Sequence, residues 1–123
     1  MGILENVRYL EKQDFTSNGD LKKYVNEGKP AIIMCQGNFC GFCNLAKPAF
    51  QDLSYSNTNV QCCSIQIDGE ETERDASKLI SKWDKNYRGV PFYIGFNSDG
   101  KYAKTHTGGR DKKSLEEFVN TLN

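Results

Sequence analysis

Cys40-Gly41-Phe42-Cys43, entered from Ala31-Ile32-Ile33-Met34-Cys35 and left through Leu45-Ala46-Lys47-Pro48-Ala49-Phe50, is the stretch on which the fold turns. A short, continuously apolar run such as Ala31 to Cys35 predicts a strand covered on both faces, in a sheet flanked by helices. Beyond the second cysteine, Leu45, Ala49, Phe50 and Leu53 are expected to face a core from a helix that starts near Cys40, with Pro48 bending its axis. Two cysteines bracketing two residues at the mouth of a helix can close a small, reversible disulfide ring, so the pattern points first to redox chemistry. The same spacing serves as half of a zinc site. A second matched pair is missing, however, because Cys62 and Cys63 are adjacent and His106 stands alone.

Working outward, Ile3 to Leu10 could form a first strand, although its alternation is imperfect. Asn18-Gly19-Asp20 supplies turn and capping residues before a short helix with Leu21, Tyr24 and Val25 on one face, stopped by Gly28 and Pro30. Val60 to Ile67 reads as another strand, ended by Asp68-Gly69. A charged helix follows from about Glu71, with Ala76, Leu79, Ile80 and Trp83 as its apolar stripe and a solvated charged face. Phe92 to Phe96 and Lys101 to Thr107 flank Ser98-Asp99-Gly100, the composition of a hairpin turn. After the break at Gly108-Gly109, Leu115, Phe118, Val119 and Leu122 mark a terminal helix.

At 123 residues the chain fits one domain, 1–123, large enough to bury a core without staples. Sixteen basic residues balance sixteen acidic ones and neither sign gathers into a block, which argues against nucleic acid or an anionic membrane as partner. The apolar runs fall far short of the roughly 20 residues that span a bilayer, and the N-terminus lacks the apolar core of a signal peptide. Asn6 stands where a myristoylation signal after Met1-Gly2 would need Ser or Thr, and Thr121-Leu122-Asn123 is not a prenylation box. The expected setting is therefore cytoplasmic, where an odd total of five cysteines stays mostly as thiols.

Three motifs in order carry a family resemblance: Cys40-Gly41-Phe42-Cys43 followed by Pro48; Tyr87-Arg88-Gly89-Val90-Pro91 followed by an apolar strand; and Gly108-Gly109 followed by Lys113-Ser114-Leu115-Glu116-Glu117-Phe118. Together they cover nearly the whole chain from about residue 30, and the chain resembles the thioredoxin family. The resemblance implies an α/β thioredoxin-like fold, with a central mixed sheet and helices on both faces, in a protein dithiol–disulfide oxidoreductase. Cys40 is the expected nucleophile, because first-turn N–H groups and the helix dipole favour its thiolate. Cys43, more enclosed, would resolve the mixed disulfide.

The resemblance further implies a cis peptide bond between Val90 and Pro91, with the Val90 backbone free to pair with an extended substrate segment. Gly108 and Gly109 would form the third wall of the groove, and Gly41 would permit close approach. Pro91 also has a plainer reading as an ordinary trans proline, and Gly108-Gly109 as a loop before a helix. Phe39 and Phe42 would form an apolar rim around the sulfur, or else be ordinary surface or core residues. They stand where thioredoxins usually show Trp and Pro, respectively. Phe42 adds no positive charge or proton, which favours a reductant over an oxidant.

Two departures from the family pattern stand out. Met34 occupies the place where a buried carboxylate often takes the resolving proton, so Cys43 is expected to depend on water or hydroxide and turnover to rise with pH. Gln36 stands where many thioredoxins have Trp, with consequences for reductase docking or substrate choice. Cys35 reads as a small buried hydrophobe, Cys62 and Cys63 as one inward and one outward residue, and His106 as a strand residue. The expected partners are disulfide-containing proteins and an electron donor, either a reductase or a small thiol, with the chain acting as a monomer. No cofactor or metal is called for. A glutaredoxin-like, glutathione-dependent reductase and a non-catalytic binding module with regulatory cysteines are the competing readings.

Overall fold

A computed structural model of the chain describes residues 3–122. Met1, Gly2 and Asn123, weighed above for lipidation, lie outside the described residues. Five strands, β1 (Arg8–Tyr9), β2 (Ala31–Gln36), β3 (Gln61–Gln66), β4 (Phe92–Phe96) and β5 (Tyr102–His106), form one mixed sheet in the order β1-β3-β2-β4-β5. β2 runs parallel to β3 and antiparallel to β4, and β4 runs antiparallel to β5. The helices are α1 (Lys23–Asn26), α2 (Gly41–Ser56), α3 (Glu71–Ser77), α4 (Ile80–Trp83) and α5 (Lys112–Val119). None of the described helices is long and apolar enough to cross a membrane.

Strand alternation divides the core in two. Ala31, Ile33 and Cys35 point to the side where Val25, Ala76 and Ile80 close the core, whereas Ile32 and Met34 point to Ala46, Phe50, Leu53 and Leu115 on α2 and α5. All six residues of β2 are buried, as expected of the central strand of a two-sided sheet. This covering also corrects one sequence expectation. Cys62 and Cys63 do point opposite ways, but neither faces solvent: Cys62 enters the α2/α5 layer and Cys63 the other.

Three further expectations are revised. The N-terminal segment pairs with β3 only over Arg8–Tyr9, because Asn6 takes a left-handed backbone (φ 56°) and the chain before it is tied to α2, where Gln51 accepts from the Glu5 N–H at 2.8 Å. The first helix is a single turn with Lys22 rather than Asp20 at its start. The charged helix breaks into α3 and α4 around Lys78 and Leu79, and Trp83 donates to the Gly19 carbonyl at 3.1 Å while its ring packs on Phe15 and Phe96.

α5 lies close over β4 at Gly95. A Cβ there would meet the ends of the Leu122 and Phe118 side chains, which would have to shift to admit it. The C-terminal ends of β2, β3 and β5 and the start of β4 lie together at one end of the sheet, and that end carries the cysteine pair.

Candidate active site

α2 begins with Cys40 itself as its N-cap: the Cys40 sulfur accepts a hydrogen bond from the Cys43 N–H at 3.1 Å. That N–H is one of the first-turn donors lacking a partner within the helix, and an acceptor at this point is favoured by the positive end of the helix dipole. Across the site the Cys40 thiol donates to the Val90 carbonyl at 3.6 Å. Cys40 is half-buried, whereas Cys43 is fully buried. Burial, followed by its contact with Cys40, pushes the Cys43 thiol up to about 12. The two sulfurs thus differ in access.

Val90-Pro91 is cis and brings the Val90 carbonyl against the sulfur. The residues immediately before Cys40 are held from the turn that follows β3. The Asp68 carboxylate accepts from the Asn38 N–H at 2.9 and 3.0 Å and from the Phe39 N–H at 3.3 Å. In the sequence Asp68 reads only as a strand terminator; its role emerges from the parallel pairing of β2 with β3, which sets the two strand ends side by side.

The structure places Phe39 and Phe42 at the surface, 74% and 68% exposed, on either side of Cys40. Leu45, expected in the core, is instead 79% exposed. The face of α2 turned to the sheet is set by Cys43, Ala46, Phe50 and Leu53, and Leu45 lies one turn beyond Phe42 on the outer face. Three large apolar side chains within five residues of Cys40 are therefore exposed, more apolar surface than a solvent-facing helix start needs. Arg110 lies over the Phe42 ring with its guanidinium carbon 6.0 Å from the centroid, linking this rim to the loop after β5.

Gly108 and Gly109 are exposed in that loop. The His106 ring forms a hydrogen bond with the Gly109 carbonyl at 2.6 Å and packs on Phe118, fixing the loop's course. A Cβ on Gly41 would meet open space. Cys40, Phe39, Phe42, Val90 and Pro91 are thus gathered at one end of the sheet, with Gly108 and Gly109 on the adjoining loop.

The thioredoxin family model matches residues 9–121. The chain belongs to the thioredoxin family. It is 29% identical over 127 aligned residues to the thioredoxin-like protein 453L of Invertebrate iridescent virus 6, covering 92% of this chain and 91% of that protein. It is 24% identical over 97 residues to the protein disulfide-isomerase tigA of Aspergillus niger, of whose length it spans 25%. Among solved structures, the short form of spinach chloroplast thioredoxin f aligns with a TM-score of 0.68 at 18% identity, covering 99% of this chain and 97% of that one. The first thioredoxin domain of mouse protein disulfide-isomerase A4 aligns at 0.69 with 20% identity, covering 96% and 76%. These two structures share the fold. Family membership, together with the dithiol at the head of α2, makes the chain a thiol–disulfide oxidoreductase.

Within this thioredoxin-family site, Met34 and Gln36 of β2 are both enclosed. Met34 is fully buried among Ala46, Phe50 and Leu115. Gln36, also fully buried, donates to Ser64 Oγ at 2.7 Å and to the Tyr9 hydroxyl at 3.3 Å, so it is turned inward rather than toward a partner. Cys35, Cys62 and Cys63 are buried free thiols, all pushed up by burial, and none joins the exposed rim. Among the described residues no group of three or more His, Cys, Asp or Glu is arranged to hold a metal.

Proposed function

We propose that this chain is a monomeric cytoplasmic reductant of protein disulfides, with Cys40 as nucleophile and Cys43 as resolving thiol. The carrying observation is the asymmetry of the pair: Cys40 is reachable and capped by the Cys43 N–H, while Cys43 is enclosed behind it. In the first step the Cys40 thiolate attacks one sulfur of a substrate disulfide, forming a mixed disulfide and expelling the other sulfur as a thiolate. In the second, Cys43 loses its proton to solvent and attacks Cys40 Sγ, forming the Cys40–Cys43 disulfide and expelling the second substrate thiolate. Two electrons pass from the dithiol to the substrate, and a reductase or small thiol returns them.

Phe39, Phe42 and Leu45 offer apolar contact to a substrate segment, Gly41, Gly108 and Gly109 leave it room, and the Val90–Pro91 backbone pairs with it. Absence of charge on Phe42 favours the reducing direction, since the thiolate gains nothing from that side chain. With insulin as the disulfide substrate, Cys43→Ser is expected to accumulate a covalent mixed disulfide through Cys40, and Cys40→Ser to show neither adduct nor turnover. Turnover by Cys40→Ser comparable to wild type would overturn the assignment.

A further inference from the structure

We propose that Lys47 is a positioning residue of the dithiol chemistry: its ammonium, buried one helical turn beyond Cys43 on the same face of α2, favours the Cys43 thiolate in the resolving step. This inference rests on the roles assigned above to Cys40 and Cys43. Lys47 is 1% exposed and ranks among the largest fully buried side chains of the protein. Lysine is seldom enclosed to this degree, because removing an ammonium from water is costly.

Its place in the helix explains the enclosure. Cys43, Lys47, Gln51 and Ser54 are all buried and follow one another at spacings of four, four and three along α2. The N-terminal segment straps over this row: Gln51 accepts from Glu5 N–H at 2.8 Å and donates to the Glu5 carbonyl, and Asn6 donates to the Ser54 carbonyl at 2.7 Å. Side chains four apart on a helix stand about 6 Å apart at Cβ, within reach of a flexible lysine stem. A cation at that range, screened from water, is where electrostatic help to a thiolate is strongest.

The titratable groups around Cys43 are Cys40 in the preceding loop, Cys35 on β2, Tyr87 before the Val90–Pro91 bond, Tyr93 on β4 and Lys47 itself. Burial and Cys40 push the Cys43 thiol up, a backbone hydrogen bond with Gly37 pulls it down, and Lys47 adds to that pull as the charged side chain among the described residues that does so. The family's carboxylate position holds Met34 and supplies no proton acceptor, so the barrier to forming this thiolate is met from the other side, by stabilising the product of deprotonation.

The two steps can be timed separately with a symmetrical aromatic disulfide, which releases one coloured thiolate when Cys40 attacks and a second when Cys43 displaces it. Removing a nearby opposite charge shifts a pKa by about one unit or more. Lys47→Met, which keeps the volume and loses the charge, is expected to slow the second release about tenfold below the Cys43 pKa and to move its pH profile up by about one unit. The first release should stay within about twofold, and Lys47→Arg should restore the second. Lys47→Gln gives the same readout should the Met variant fold poorly. A second release unchanged at every pH, or slowed equally by Met and Arg, would overturn the role of Lys47. Failure of wild type to end as the Cys40–Cys43 disulfide would instead overturn the dithiol reading on which it rests.

Discussion

Asp68 lies off the cysteine motif, yet it holds the main chain that delivers Cys40. Asp68→Ala removes the acceptor of the Asn38 and Phe39 N–H groups, at 2.9, 3.0 and 3.3 Å. Hydrogen bonds to a charged acceptor contribute about 1.5–3 kcal/mol each when well enclosed. Here the loop is exposed and its freed N–H groups rehydrate, so about 1–2 kcal/mol in total is the reasonable loss. For a chain of this size that corresponds to a fall of roughly 4–8 °C in Tm. The effect on function should exceed the effect on stability, because Phe39 adjoins Cys40 and a misplacement of 1 Å can cost about a hundredfold in rate. We expect about a tenfold loss in kcat/KM for insulin reduction. Asp68→Asn, which keeps one acceptor oxygen, should recover part of both quantities. Thermal unfolding and turnover on the same preparations measure them. Asp68→Ala within about twofold of wild type in kcat/KM and unchanged in Tm would refute the idea that the turn after β3 positions Cys40 through this carboxylate.

Three other outcomes follow from the packing and the thiols. Cys35, Cys43, Cys62 and Cys63 all have folded-state pKa values raised by burial above the ordinary 9.0, to about 12 for Cys43 and Cys62. The unfolded chain therefore loses thiol protons first as pH rises, and stability should be intact below pH 9 and fall above it, by about 1.4 kcal/mol per pH unit per thiol; urea unfolding in strong reductant across that range checks this, and a flat profile would contradict the burial of these thiols. Gly95→Ala should be strongly destabilising, by about 1–3 kcal/mol, since its Cβ would meet Leu122 and Phe118 where α5 crosses β4; a Tm equal to wild type would show that α5 can move aside. Met34→Asp should move the pH–rate profile of disulfide reduction toward lower pH by providing the proton acceptor this position lacks, and an unchanged profile would count against that account.

Much of the architecture was legible because the strongest patterns coincide with the best-covered elements. The apolar run Ala31–Cys35 is the central strand, and Leu115, Phe118, Val119 and Leu122 are the buried stripe of α5 and its end. The failures have local causes. Leu4 is buried yet belongs to no strand, because left-handed Asn6 and the Gln51 contacts pull the N-terminal segment onto α2. Leu45 reads as a core residue because hydrophobicity alone cannot tell a buried face from an apolar surface kept open beside Cys40. At the site, Cys40, Cys43 and Pro91 could be named from spacing and resemblance. Asp68, Arg110 and Lys47 could not. Asp68 acts through strand adjacency and Arg110 through a loop crossing, while Lys47 looks in sequence like one more solvated charge and is enclosed only because a distant segment straps α2.

The central claim is a reducing Cys40–Cys43 dithiol, and its reduction potential tests it most directly. Equilibration against glutathione and thioredoxin couples, with the Cys40–Cys43 linkage verified by mass, should give a value near the thioredoxin level of about −270 mV. A value near about −180 mV would place the protein among oxidants and isomerases, and failure of the two cysteines to pair would contradict the dithiol account altogether.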